Sequence, residues 1–509
     1  MATTALTRLP DDLERLAAAP LETRMLEIWV DPELAFLHFA ASAEYAYWLD
    51  AGPDATAGWS FLAVLDGCAD AYTLFGDPDL GSATLQHPSS GRAAFVGESV
   101  LPTLGRTSLR GRREPLPDGV ALGWAGWLGY ESGARALGVP HASVGVPDTV
   151  LLFAPRQIAF DHAARRIRIS WLRSAGEKEA GGRDAAGPGP GPEAAENAEA
   201  RWLRETVDAL HALAGREAAD PPPAPELGPV SARHPAADYH RLIERCQERI
   251  TAGDAYQLCL TNRFETTTEE SPVTVYRRLR RANPSGHGGL VVAGERALLS
   301  SSPEVFLDVT AQGEVTTRPI KGTRPRGRDR ADDDRLRAEL RGDEKELAEN
   351  LMIVDLMRND LGAVCKLGSV AVTSLFAVEA HPNVFQLVST VVGRLRRECG
   401  TGELLRSAFP AGSMTGAPKE SAMRILHGLE AGPRGAYAGA FGVLAIDGSL
   451  QLAMTIRTIV LDGPRVSIGS GGGITALSRP ELEIDETHTK IAPLLRALGA
   501  RLEGTTRAW

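Results

Sequence analysis

The sequence predicts an α+β protein built on mixed sheets, with two subdomains and helices outside. Three observations carry that expectation. In the first third of the chain, short apolar runs alternate with Gly, Pro and Asp turns: WSFLAVL from Trp59, VALGWAGWLGY from Val120, TVLLFAP from Thr149 and RIRISWL from Arg166. Such a pattern predicts a sheet with few helices. Beyond about Asp238, strand-like segments such as ALLSSSPEVFLDV and QLAMTIRTIVL are mixed with long amphipathic helices. Between the two, Ser174–Ala200 is rich in Gly, Ala, Pro and Glu. That stretch cannot bury enough apolar surface to offset its ordering entropy, so it reads as a flexible insertion. A short helix, RWLRETVDALHALAG, and a Pro-rich link follow it. The chain divides on this reading into an N-terminal lobe (1–173), an insertion with helix and linker (174–237) and a C-terminal region (238–507).

Composition narrows the function. Of 509 residues, 43% are hydrophobic and 24% charged, with a net charge of −10. This is a soluble globular composition, and the charge argues against general affinity for nucleic acid or an anionic membrane. The basic run at Arg324–Arg330 is cancelled by the acidic residues that follow it. Five scattered cysteines without CxxC spacing support neither a disulfide framework nor a zinc site. The N-terminal residues hold no apolar core of a secretory signal, and no run approaches the ~18 apolar residues of a membrane span. A soluble, cytoplasmic protein is expected.

Two segments bear paired carboxylates. Gly342–Gly362 reads as a helix with Leu347, Leu351, Val354 and Leu361 as its apolar stripe. Glu346 and Glu349 fall on one face, one turn apart. Near the C-terminus, a Gly-rich turn at Gly471–Gly473 leads to Ser478–Glu481, a capping-box pattern, and then to Glu483, Glu486 and Lys490 on one helix face. Either pair alone reads as a solvated charged face. Two such helices meeting would make an oxygen-rich site suited to Mg²⁺, with the lysine and glycine amides left for a second anion.

Shorter motifs accompany them. FPAGSMTGAPK sets Ser413, Thr415 and Gly416 before a helix, without Walker-loop spacing. Arg457 interrupts a strand-like run, as a paired arginine or a clamp on a carboxylate. Glu304 stands at a strand entry, as a turn residue or a general acid/base. In TRPIKGTRPRG, Lys321 lies between an apolar strand end and a Gly-Thr turn.

Taken in order, NPS, SSSPE, PIKGTRPRG, DEKELAENLMIVDLMRNDLG, FPAGSMTGAPK, TIRT and GSGGGI with the two following glutamates resemble the chorismate-binding enzymes. The resemblance covers about Tyr239–Leu498 and extends weakly to the N-terminal lobe. It implies an anthranilate-synthase-like fold with chorismate and Mg²⁺ in a cleft between sheets. Carried over residue by residue, it implies Glu346, Glu349, Glu483 and Glu486 as the Mg²⁺ shell. Tyr437, Arg457, Gly471, Gly472, Gly473 and Lys490 become binders of substrate carboxylate, Thr415 and Gly416 pocket residues, and Glu304 the acid/base.

Lys321 separates members of that family. Anthranilate-forming members usually read PIAGT, and many aminodeoxychorismate-forming members read PIKGT. The resemblance thus implies that Lys321 bonds to C2 of chorismate and directs ammonia to C4; the competing readings are a lysine that only salt-bridges chorismate or a glutamate, a family member forming anthranilate or aminodeoxyisochorismate, and a non-catalytic chorismate-binding scaffold. A dry pocket with Arg318 or Arg324 beside it would lower the lysine's pKa for that task. Gln386 stands where anthranilate-forming members carry a histidine associated with pyruvate elimination, which fits release of product to a separate aminodeoxychorismate lyase. Leu49–Ala51 and Asn283–His287 depart from the motifs that bind tryptophan in relatives. No amidotransferase motif is found, so ammonia is expected from a glutamine amidotransferase partner or free ammonium.

Overall fold

The computed structural model describes residues 9–96, 99–111, 113–173, 198–381 and 384–502. Among these residues the chain builds one sheet of 13 strands and one of 12. The N-terminal strand-like runs become Trp59–Val64, Gly123–Leu128, Thr149–Ala154 and Arg166–Leu172. Residues 174–197, most of the expected insertion, lie outside the described residues. Ala198–Leu213 forms the helix read after it.

The strands interleave in a way that composition does not show. Tyr45–Asp50 pairs antiparallel with His287–Ala293 in the larger sheet, joining early and late chain. In the other sheet Gly123–Leu128 pairs antiparallel with Ala440–Ala445. The segments before 174 and after 237 therefore share both sheets, and the break in sequence is not a break in space.

Side-chain alternation explains the layering. In Gly123–Leu128, Ala125 and Trp127 face one apolar cluster while Trp124 and Leu128 face another, so both sides of the strand are buried. The first cluster lies between the sheets: Tyr47, Phe61 and Val291 of one meet Trp127, Val150 and Phe441 of the other. Helices cover the outer faces. Pro272–Ala282 and Pro480–Leu498 supply Val275, Leu279, Ile491 and Leu494 to the core on the larger sheet. Glu344–Gly362 supplies Ile353, Val354, Met357 and Leu361 to the core on the smaller one. The result is the expected α+β arrangement of stacked sheets with helices outside.

Both carboxylate helices differ in detail from expectation. In Glu344–Gly362 the cap is Asp343, which accepts the N–H groups of Lys345 and Glu346. Leu351 is 50% exposed, because the buried face runs through Ile353, Met357 and Leu361. Pro480–Leu498 begins with Pro480 in its first turn and no side-chain cap. The Ser478 hydroxyl instead accepts the Thr475 N–H at 3.1 Å, so no capping box forms.

Candidate active site

A cavity of about 710 Å³ opens where the two carboxylate helices face the strand carrying Lys321. That strand, Ile320–Pro325, pairs with Val384–Arg394. Its register steps from Lys321 opposite Leu387 to Thr323 opposite Gln386, leaving Gly322 as an extra residue at φ +79°. The turn expected after Lys321 is thus a bulge inside a strand. A Cβ at Gly322 would come 2.7 Å from Leu340 and 3.1 Å from the Glu346 carboxyl carbon, so the bulge also fits under the first helix. Bulges re-aim neighbouring side chains, and both Lys321 and Gln386 line the cavity.

The four helix glutamates line the same cavity. Glu349 and Glu483 are buried, 5% and 4% exposed. Lys345 Nζ lies 2.8 Å from Glu483 Oε1 and 3.6 Å from Glu349 Oε1. Lys321 Nζ lies 3.7 Å from Glu349 Oε2, and Lys490 Nζ 2.7 Å from Glu486 Oε1. Burial, reinforced by Glu349 and Glu486, pushes the Glu346 carboxyl up to about 7. Among the described residues no three metal-ligating side chains converge on one point as they stand. Lysine ammonium groups hold the space between the carboxylates.

Lys321 has a different electrostatic setting from the expected one. Arg318 is paired with Glu379, and Arg324 with Glu339 at 2.9 Å and Asp343 at 2.7 Å, so neither opposes the lysine's charge. Burial pulls the Lys321 pKa down, but Glu349, Cys259, Glu304 and Glu486 outweigh it and hold the ammonium above its ordinary value. Glu304 is the reverse case. It is 7% exposed, and burial lifts its carboxyl to about 7 against Lys321, the Ser413 hydroxyl and the Ile320 N–H. Lysine and carboxylic acid share the cavity, each held toward its protonated form.

The opposite wall is polar backbone and a cation. Gly471–Gly473 lie in the Arg465–Ile474 strand, paired with Gln257–Thr267, and not in a turn before the helix. Lys490 Nζ donates to the Gly471 carbonyl at 2.7 Å. Because a strand residue's N–H and C=O leave on the same side, this orients the Gly471 amide away from Gln257–Thr267. Arg457 lines the cavity at φ +51°, a strained conformation for a non-glycine residue. Its guanidinium has no ion-pair partner among the described residues, and burial lowers its pKa. An unpaired, buried guanidinium has the charge and the forked donors to receive a carboxylate.

Tyr437 lines the cavity above Gly469, where a Cβ would fall 1.9 Å from the ring. Gly469→Ala is expected to displace Tyr437, lower Tm by several degrees and raise the KM for the cavity's ligand, as read by thermal melts and initial rates.

Thr415 and Gly416 are not brought to the cavity surface. The Thr415 hydroxyl donates to the Ala411 carbonyl at 3.2 Å, and Gly416 pairs with Leu258. Their neighbours Ser413 and Met414 line the cavity instead. Sequence reasoning missed Ser413 as the partner of Glu304, and it missed Lys345. The signal for Lys345 was its place four residues before Glu349, an i,i+4 ion-pair spacing.

A profile of the chorismate binding enzyme family matches residues 82–496. The chain is 40% identical to an aminodeoxychorismate synthase of Streptomyces griseus, over 99% of this chain and 67% of the relative. It is 37% identical to another of Streptomyces pristinaespiralis, over 96% and 66%. The chain spans about two thirds of the length of these two relatives. The solved anthranilate synthase component I from Streptococcus pneumoniae superposes with a TM-score of 0.70 at 29% identity, over 87% of this chain and 93% of that one. From the profile match across most of its length and the shared fold, the chain belongs to the chorismate-binding enzyme family.

Proposed function

We propose that this chain aminates chorismate at C4, giving 4-amino-4-deoxychorismate, with residues 238–507 supplying the chemistry. The observation that carries the reading is Lys321, set by a bulge into a cavity it shares with Glu304. The names of the two Streptomyces relatives support the same product. In this scheme Lys321 Nζ bonds to C2 as the ring double bond shifts and the C4 hydroxyl departs. Glu304 gives the proton that makes the leaving group water, and takes back the one released from the lysine nitrogen. Ammonia then bonds to C4, and its surplus proton is passed by way of Glu304 to Nζ as the double bond returns and the C2–Nζ bond breaks. The sum is chorismate and ammonia to product and water, with the lysine restored. Arg457 and the Gly471 amide are the receptors for substrate carboxylate.

Glu346, Glu349, Glu483 and Glu486 are the proposed holders of Mg²⁺. Their hard oxygen donors, and the lysine ammonium groups that already bring positive charge among them, fit a divalent cation. When bound, that ion supplies positive charge that anchors a substrate carboxylate and satisfies Glu349, leaving Lys321 easier to deprotonate. A glutamine amidotransferase subunit is the proposed source of ammonia, and a separate aminodeoxychorismate lyase the proposed consumer of the product. Among the described residues no helix is long and apolar enough to cross a membrane.

The Lys321–Glu349 pair favours a second reading, in which the lysine is a fixed counter-ion and ammonia attacks C2 to give anthranilate. Mass spectrometry after incubation with chorismate, Mg²⁺ and ammonium separates the two. The expected product is 4-amino-4-deoxychorismate, converted to p-aminobenzoate by added lyase. Anthranilate as the main product would establish the second reading.

A further inference from the structure

The three lysines among the carboxylates are not held alike. Lys490 is anchored twice, by Glu486 and by the Gly471 carbonyl. Lys321 is 14% exposed and fixed on the bulged strand. Lys345 is 34% exposed, lies in the first turn of its helix and has a long flexible stem that reaches solvent. Yet its ammonium pairs with the two more deeply buried of the four cavity glutamates, Glu349 and Glu483, one from each helix. Uncompensated, those two charges would push the helices apart. A divalent ion reaching both carboxylates has to take the place that Lys345 Nζ occupies.

We propose that Lys345 is a resident counter-ion that joins the two carboxylate helices in the metal-free protein and swings into solvent when a divalent cation binds. The inference rests on the reading of Glu346, Glu349, Glu483 and Glu486 as cation ligands. It adds that this chain carries its own competitor for the site, so that the apparent metal affinity is set partly by a residue that is not a ligand.

The test uses the full chain and Mg²⁺ alone. Titration calorimetry on wild type, Lys345→Met and Lys345→Gln is expected to show Mg²⁺ binding about tenfold tighter in both variants, since each tenfold corresponds to about 1.4 kcal/mol of released competition. Without Mg²⁺ the variants are expected to melt below wild type, and saturating Mg²⁺ is expected to close that gap. A second readout needs no substitution. Brief amine acetylation of wild type followed by peptide mass spectrometry is expected to label Lys345 several-fold more with Mg²⁺ than without, with Lys366, exposed and away from the cavity, unchanged. Unchanged or weaker Mg²⁺ affinity in both variants, or labelling of Lys345 indifferent to Mg²⁺, overturns the proposal. A raised KM for chorismate at unaltered Mg²⁺ affinity also overturns it and makes Lys345 a substrate ligand. Absence of Mg²⁺ binding in wild type and variants alike is the separate outcome that removes the underlying reading of the four glutamates.

Discussion

Lys321→Ala is expected to lower the rate of 4-amino-4-deoxychorismate formation by at least about a thousandfold, because it removes the group proposed to bond to C2. The fold should survive. The side chain projects from a bulge into the cavity, and Glu349 keeps a second cation in Lys345, 3.6 Å away. Lys321→Arg supplies the discriminating control. An arginine restores positive charge beside Glu349 but stays protonated and cannot attack carbon. Loss in both variants, with Tm within a few degrees of wild type, supports the nucleophile. Recovery in the arginine variant would reduce Lys321 to a counter-ion. Product analysis completes the test, since anthranilate from Lys321→Ala would show that the lysine had been steering ammonia away from C2.

Glu304→Gln is expected to cost about 10²- to 10⁴-fold in kcat, the usual range for a lost general acid/base. Its pH signature is as informative as its size. Burial holds the Glu304 carboxyl up at about 7, so the acid form predominates below that pH and drains away above it. The proposed attack also needs neutral Lys321, whose ammonium is held above its ordinary value, so the kcat/KM of wild type for chorismate should rise with pH up to about 7 and level off beyond it, whereas the glutamine variant should go on rising through that pH. Stability gives an independent check. The native carboxyl binds its proton more tightly than the unfolded one, whose ordinary value is 4.5. By linkage, its contribution is fully present below 4.5 and is lost as pH climbs through about 7. Glutamine never ionises, so the variant should gain in Tm relative to wild type between pH 5 and 8. A Tm difference that is flat with pH would mean that Glu304 is not held neutral by its surroundings.

What could be read in advance follows physical range. Periodicity along one element is local, so the strand runs, both carboxylate helices and the pairing of Glu346 with Glu349 were legible. Motif resemblance extended this to Glu304, Lys321, Tyr437, Arg457 and Lys490, all of which line one cavity. What failed depends on partners far along the chain. Gly471–Gly473 resembled a turn because three glycines usually do, but their pairing with Gln257–Thr267 makes them strand. Gly416 resembled a pocket residue, but it pairs with Leu258; Thr415 is a local exception, its hydroxyl donating to the Ala411 carbonyl four residues back. The charge environment of Lys321 was misjudged for a similar reason. Arg318 and Arg324 are close in sequence, whereas Glu349, Cys259 and Glu304 reach the lysine through the fold.

The sharing of both sheets by early and late chain bears on how this enzyme can be recombined. Cutting at the boundary legible in the sequence would strip Tyr45–Asp50 from His287–Ala293 and Gly123–Leu128 from Ala440–Ala445. The part after the cut, made alone, would present two raw sheet edges, each a template for aggregation. Chimeras with other chorismate enzymes therefore have to exchange the two halves as matched sets, with the seams at these strand pairs as the surfaces to be kept complementary.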